Sequence, residues 1–109
     1  NFEFFSLIFL LLNKQWEINH DETLGNFLSE MNPYLWEGET SADPAVYAEF
    51  LEFMNNKIIR EDYGYRLVND YLDSIDYYKN LKHFLTSVNE QSWIESARKL
   101  LNQPHKGAK

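Results

Sequence analysis

Cysteine is absent from this sequence, and glycine, proline and histidine are scarce, with four, three and three residues among 109. The absence of cysteine excludes a disulfide framework, a thiol nucleophile and a cysteine-ligated zinc site. It suits a reducing cytoplasm, where we expect the protein to be located. The glycines are isolated from one another, so the chain has no glycine-rich loop for binding phosphate groups.

Catalytic and metal-binding motifs are equally scarce. None of the three histidines stands in a recognisable nucleophile or base motif. Glu17 and His20 fit the Glu-x-x-His spacing of di-iron bundles, but such sites need the motif twice together with two further glutamates. Glu49 and Glu52 could act as a general acid and base if they were buried together, but they fall opposite an apolar stripe and are expected to be solvated. We therefore predict a protein that is not an enzyme and has no metal or cofactor, with a carboxylate-dependent hydrolase as a minor alternative.

Basic residues are missing from a long stretch of the chain. No lysine or arginine occurs between Lys14 and Lys57, an interval that holds nine acidic residues. Residues 1–59 contain ten acidic and two basic residues, a balance of −8, whereas residues 60–109 contain seven acidic and eight basic residues, a balance of +1. The net charge of −7 argues against nucleic-acid binding, which requires basic side chains to neutralise phosphates. The acidic half is either a solubilising surface or a face that attracts a basic partner.

The one long apolar run, Phe2 to Leu12, is too short for a transmembrane helix, which needs about 20 residues. It also lacks the basic flank and the small-residue cleavage site of a signal peptide. We expect no membrane association and interpret the run as a helix that is apolar on all sides and buried at the centre of the domain. A buried strand is the alternative.

Apolar residues recur at helical spacing along the rest of the chain, and no stretch shows the alternation of a strand. The predicted later helices are Thr23 to Met31, Pro44 to about Ile59, one around Leu67–Ile75, one from Ser74–Asp76 to Val88, and one around Trp93–Leu101 that ends before Pro104. Asn13 to Asp21 is predicted to be a polar connection. We therefore predict an all-α fold, a compact single-domain bundle of about five to six short helices over residues 1–104. Residues 105–109 are expected to form a frayed C-terminal tail.

Several helix starts are predicted from capping residues. Asp43 followed by Pro44 combines an N-cap carboxylate with proline at the first helical position. Asp21 or Glu22 is well placed at the positive end of the second helix. The last helix begins either with a capping box from Ser87 to Glu90 or with Asn89 as a competing cap.

The helix after Pro44 carries a stripe that we predict to be buried. Its members fall at offsets of 0, 3, 4, 7 and 11, and they are Tyr47, Phe50, Leu51, Met54 and Ile58. Tyr71 and Tyr77 are predicted to belong to the core stripes of later helices. Tyr34, Trp36, Tyr63 and Tyr65 lie near predicted loops, where tyrosine and tryptophan also serve as interface anchors.

Trp36 and four acidic residues are our candidate partner-binding residues. Asn32-Pro33 breaks the chain before the tryptophan, and a polar turn from Glu37 to Ser41 follows it. If this loop packs against the start of the next helix, Glu37, Glu39, Glu49 and Glu52 can share one face with Trp36. A basic protein would then be the natural partner.

The stretch Asn32-Pro33-Tyr34-Leu35-Trp36, together with Ser41-Ala42-Asp43-Pro44-Ala45 and the Tyr47–Phe50 stripe, resembles a pattern in small, acidic, helical bacterial proteins. Some of these are similar to immunity proteins that accompany secreted growth-inhibiting toxins. The resemblance covers about 25 residues, and no functional residue carries over from it. It implies a binding protein that masks a toxin, with an acidic face if the toxin is a basic nuclease. The alternative is a structural or regulatory helical module that self-associates through exposed aromatic residues.

Overall fold

The longest helix, α1 (Phe2–Asn19), runs through the centre of the domain. The structure is a computed structural model and describes residues 1–107. Within these residues it contains α1, α2 (Glu22–Met31), α3 (Pro44–Met54), α4 (Tyr65–Ser74), a 3-10 helix (Leu81–Leu85) and α5 (Glu90–Leu101), with no strand. The all-α prediction is therefore confirmed.

Helices α2 to α5 follow one another around α1. Each of these helices packs against the next one along the chain. The 3-10 helix, which lies between α4 and α5 in the chain, packs against α4 and α1, and α5 returns to contact α1. The radius of gyration is 13.0 Å, the value expected for one compact domain of this length. None of the helices in residues 1–107 has the length and apolar content needed to cross a membrane.

The first half of α1 is buried on all sides, as its sequence predicted. Nine residues of α1 have almost no exposed surface, and all of them lie between Phe2 and Leu12. The helix nevertheless continues for seven residues beyond Leu12, so the predicted polar connection from Asn13 to Asp21 is wrong. Trp16 explains the extension, because its indole packs closely over Gly25 of α2 and holds the polar end of α1 against that helix. A single aromatic contact of this kind leaves little periodic signal in the sequence.

Phe50 of α3 lies at the centre of the aromatic core and is fully buried. Its ring centroid is 4.9 Å from that of Phe5, 5.0 Å from that of Tyr71 and 5.9 Å from that of Tyr47. Helix α3 is thereby fixed between α1 and α4. This arrangement turns the opposite side of α3, which carries the acidic residues, towards solvent.

Helix α3 ends at Met54 and not near Ile59 as predicted. Asn56 adopts a left-handed conformation with φ of 64°, which asparagine tolerates better than most residues and which stops the helix. Ile58 is therefore outside the helix and 70% exposed. Leu51 is 41% exposed at the edge of the stripe, so its predicted burial is also wrong.

The predicted helix from Ser74–Asp76 to Val88 is reduced to the 3-10 helix. Asn80 has a φ of 62°, which prevents a continuous helix across this segment. Leu81 and Leu85 are buried as the pattern predicted, but Tyr77 is 49% exposed and does not belong to the core.

The predicted helix starts are largely confirmed. Asp21 and Asp43 cap α2 and α3 by accepting hydrogen bonds from the backbone N–H groups of Leu24 and Ala45. At α5, Asn89 is the cap and forms a capping box with Ser92, so the alternative box from Ser87 to Glu90 is wrong.

The C-terminal segment lies against the fold as far as the structure describes it. The predicted frayed tail, 105–109, falls partly outside the described residues. Within residues 105–107, Nε2 of His105 is 3.2 Å from a carboxylate oxygen of Glu3, and the backbone of Gly107 passes close to the Phe2 ring. Both contacts are to residues more than 100 positions earlier, so no local sequence pattern could have indicated them.

Candidate partner-binding surface

The residues from Asn32 to Asp43, which we call the acidic loop, form a closed connection between α2 and α3. Asn32 holds both ends: its side-chain oxygen accepts from the N–H of Tyr34 at 2.9 Å, and its carbonyl accepts from the N–H of Ala42 at 2.8 Å. The N–H of Asp43 also donates to the carbonyl of Glu30 in α2, at 2.9 Å. These bonds keep the two ends of the loop together.

Ser41 joins the acidic loop to α3. It is fully buried, and its hydroxyl donates to the carbonyl of Asp43 and accepts from the N–H of Tyr47 at 2.9 Å. The loop therefore packs against the start of its own helix, which was the condition for our predicted site. The sequence marked Ser41 only as part of a polar turn.

Trp36 is positioned by the loop but remains accessible. Its indole N–H donates to the carbonyl of Ala42 at 3.2 Å, while 53% of the residue is exposed. Its neighbours Tyr34 and Leu35 are 44% and 58% exposed, and the Tyr34 ring leans edge-on against Phe9 of α1. Three consecutive large apolar side chains thus reach solvent from a hydrogen-bonded loop.

Glu37 and Glu39 are exposed beside Trp36. Neither forms a hydrogen bond or an ion pair with another residue in the range 1–107. Burial raises the pKa of the Tyr47 phenol, and the nearby negative charge of Glu39 raises it further. This places the carboxylate of Glu39 near the hydroxyl of Tyr47.

A basic side chain that the sequence did not associate with this region also reaches the acidic loop. The Lys106 ammonium group donates to the carbonyl oxygens of Pro33 and Trp36 and lies 5.4 Å from the centroid of the Phe2 ring. The interval without lysine or arginine along the sequence is therefore not free of positive charge in space.

Glu49 and Glu52 both lie on the exposed side of α3, but they have different surroundings. A carboxylate oxygen of Glu49 accepts a hydrogen bond from the hydroxyl of Tyr77 at 3.3 Å. Within residues 1–107, Glu52 has no side-chain hydrogen bond or ion pair. The spacing of the two glutamates along α3 predicted their exposure but not this difference.

Glu49 belongs to a group that we call the tyrosine–glutamate cluster, formed by Glu30, Glu49, Tyr77 and Tyr78. The hydroxyl of Tyr78 donates to Glu30 at 2.6 Å, and the rings of Tyr77 and Tyr78 are 5.2 Å apart. Burial and the neighbouring carboxylates, Glu49 first among them, raise the pKa of Tyr77 to about 12. The hydrogen bond to Glu30 raises the pKa of Tyr78, with a smaller effect of burial. No sequence pattern indicated that Glu30, Tyr77 or Tyr78 would meet at the surface.

The candidate residues therefore fall into two groups, and Glu52 belongs to neither. Trp36, Glu37 and Glu39 lie on the acidic loop, and Glu49 lies in the tyrosine–glutamate cluster. Across the described residues no hydrogen bond or ion pair connects the loop acids with Glu49 or Glu52. The link between the groups runs through Glu30, whose carbonyl binds the end of the loop and whose side chain binds Tyr78.

Two open clefts lie away from these residues. One, of about 660 Å³, is lined by residues of α4, the 3-10 helix and α5, including the ion pair between Lys82 and Asp73. The other, of about 900 Å³, is lined by three arginines, three acidic residues and apolar side chains that include Ile58. In the described part of the chain, no three histidine or carboxylate side chains come together as a metal site. Glu17 instead accepts a hydrogen bond from Asn13, and the ring of His20 packs against Trp16.

Comparisons of the chain with protein-family models, with curated proteins and with solved structures found no match.

Proposed function

We propose that this chain is a small acidic protein-binding protein, and that it acts as a cytoplasmic immunity protein that neutralises a basic bacterial toxin by covering its surface. The observation that carries this proposal is the acidic loop. It displays Trp36, 53% exposed, beside two exposed carboxylates in a region of sequence without lysine or arginine from residue 15 to residue 56. The resemblance of residues in this loop and in α3 to immunity proteins agrees with it.

The carboxylates and the tryptophan have different roles in the proposed complex. Carboxylates at the rim of an interface mainly raise the association rate and make it sensitive to salt, because they attract the partner before contact. A large aromatic side chain at the centre mainly slows dissociation, because it buries apolar area in a pocket of the partner. We assign the first role to Glu37, Glu39, Glu49 and Glu52, and the second to Trp36.

The hydrogen bonds of the acidic loop favour this assignment. Asn32 and Ser41 hold the loop in one arrangement before any partner is present. A preorganised loop loses less conformational entropy on binding than a mobile one, so more of the contact energy appears as affinity.

The test begins with capture of a partner from a lysate of the source organism, followed by binding kinetics at two or more salt concentrations. Changing Glu37, Glu39, Glu49 and Glu52 together to lysine should slow association and remove most of its salt dependence. The matched control changes four exposed acids of the other half, Glu61, Asp70, Asp76 and Glu95, to lysine, with the same change in net charge. Equal association rates for the two variants would mean that the acidic half only solubilises the protein.

Trp36→Ala tests the anchor separately. It should mainly speed dissociation, by about tenfold or more, since a central aromatic contributes at least about 1.4 kcal/mol. Leu35→Ala, at an equally exposed neighbour, is the control for a general loss of apolar surface. The anchor role is refuted if both substitutions change dissociation by the same small factor.

Self-association is the second candidate function, and the cleft that contains Ile58 favours it. Ile58 is 70% exposed, and Arg60, Arg66 and Arg98 line the same cleft. The same cleft also carries Glu61, Asp62 and Glu90, so its charges balance, and the exposed apolar side chain of Ile58 is what favours contact with a second copy. Sedimentation equilibrium distinguishes the two functions: self-association predicts a mass that rises with concentration and returns to the monomer value in Ile58→Asp.

A further inference from the structure

The carbonyl groups of Pro33 and Trp36 converge on a single positive charge. Both oxygens accept hydrogen bonds from the Lys106 ammonium group. Within residues 1–107, neither oxygen accepts a backbone hydrogen bond. Pro33 is fully buried, and a buried carbonyl without a partner is costly. The acidic loop therefore presents two carbonyl acceptors without a backbone donor, and the carbonyl of the buried Pro33 is the one that depends most on Lys106.

Other groups around these oxygens also suit a positive charge. The Phe2 ring lies 5.4 Å from the ammonium nitrogen, within the range of a cation–π attraction. A carboxylate oxygen of Glu39 is 3.8 Å from the position that a Cβ atom on Gly107 would take, so a negative charge lies beside the same segment. The two carbonyls and the ring together form what we call the ammonium seat, and the Glu39 carboxylate lies beside the segment that delivers Lys106.

We propose that the ammonium seat is a recognition site for a lysine side chain of a protein partner, and that the chain's own Lys106 occupies it until the partner binds. A primary ammonium group fits because it is compact and can direct its N–H bonds to two nearby oxygens. The planar guanidinium of arginine is better suited to a carboxylate or phosphate pair. That the competing lysine belongs to a protein partner rests on our proposed function, but the binding of an ammonium group in the seat does not.

The position of the seat supports displacement of Lys106 by a partner. One of its two oxygens belongs to Trp36, the residue that we propose as the anchor of the complex. The segment that delivers Lys106 is preceded by three exposed residues, Asn102, Gln103 and Pro104, and is otherwise held by the contact between His105 and Glu3. A partner that binds at Trp36 therefore meets the internal lysine directly.

The experiment measures amide hydrogen exchange of the acidic loop in the full chain and in Lys106→Ala. The reporters are the N–H groups of Tyr34, Thr40 and Ala42, which form hydrogen bonds within the loop. In Lys106→Ala they should exchange faster by about tenfold, the factor expected for loss of a charge-assisted hydrogen bond. Lys99→Ala, at an exposed lysine of α5, is the matched control and should leave these rates unchanged. The N–H of Leu24 at the start of α2 should not respond in either variant.

Chemical rescue then tests whether the seat recognises an ammonium group. Propylammonium should restore protection of the loop in Lys106→Ala, because it replaces the part of the side chain that was removed. Propanol, which has the same length and no charge, and tetramethylammonium, which has a charge and no N–H donor, should not. In the unchanged protein, propylammonium should have no effect, because the internal lysine is at a high effective concentration.

Each result of this test decides the proposal. Selective rescue by propylammonium supports an ammonium seat. The proposal is overturned by no increase in exchange in Lys106→Ala, by no rescue with propylammonium, or by equal rescue with propanol or tetramethylammonium. Once a partner has been captured, Lys106→Ala should also bind it more tightly than the unchanged chain does. Weaker or equal binding would refute the competition between Lys106 and a lysine of the partner. If the amines rescue but the charge reversals above do not affect any partner, then the seat stands and the proposed function fails.

Discussion

The hydroxyl of Tyr78 donates a 2.6 Å hydrogen bond to a carboxylate oxygen of Glu30, 48 residues earlier in the chain. This bond attaches the segment between α4 and the 3-10 helix to α2. Because Glu30 also binds the end of the acidic loop through its carbonyl, one residue joins the two groups of candidate side chains.

Tyr78→Phe should destabilise the protein by about 1–2 kcal/mol, since it removes a partly buried hydrogen bond to a charged acceptor. The matched control is Tyr77→Phe, whose bond to Glu49 is longer, at 3.3 Å, and exposed, and which should cost less than about 0.5 kcal/mol. Urea unfolding followed by circular dichroism measures both. Equal losses would mean that the bond to Glu30 does not hold this segment.

Phe50→Ala should cost roughly 3–5 kcal/mol, because it removes a fully buried ring and leaves a cavity among four other aromatic rings. Leu51→Ala, at the next position of the same helix, should cost under about 1 kcal/mol, because Leu51 is 41% exposed. Such a loss at Phe50 is large beside the total stability of about 5–15 kcal/mol for a domain. If Leu51→Ala proved as costly as Phe50→Ala, the orientation of α3 would be wrong.

Gly64→Ala should destabilise the fold by about 2–6 kcal/mol for two separate reasons. Gly64 precedes α4 with a φ of 90°, which favours glycine, and an added Cβ would overlap the ring of Phe4. Gly38→Ala in the acidic loop meets no atom within 4 Å and should change stability by less than about 0.5 kcal/mol. Thermal unfolding of the pair measures the difference, and equal melting temperatures would contradict the close packing of Gly64 on α1.

The contact of His105 with Glu3 should depend on pH. The hydrogen bond to the carbonyl of Gln103 raises the pKa of His105, burial lowers it, and Glu3 raises it, with a net upward direction. Because the pKa is higher in the folded state, the stabilisation is fully present below the unfolded value of about 6.5 and is lost as the pH rises through the folded value. Titration of the imidazole by nuclear magnetic resonance measures this pKa. Glu3→Gln should lower it, and a value at or below about 6.5 in the unchanged chain would contradict the contact.

The helix content and the site of the aromatic core could be predicted from the sequence because they depend on local repetition. The spacing of apolar residues identified α2, α4 and α5, and Asp21 and Asp43 marked two helix starts through contacts only two or three residues away. The same reasoning failed where a residue ended a pattern by its own conformation. Asn56 and Asn80 have positive φ values, so α3 stops early and the segment after α4 forms only a short 3-10 helix.

The sequence by itself determined that the chain is all-α and acidic in its first half, and it placed Trp36 in a loop beside Glu37 and Glu39. Only the tertiary structure decided which of these side chains meet. The contacts of Glu30 with Tyr78 and of Lys106 with the loop carbonyls join residues that are 48 and at least 70 positions apart. Such pairs leave no periodic trace in the sequence, because a helix repeats every few residues whereas a contact between distant segments depends on how the whole core packs.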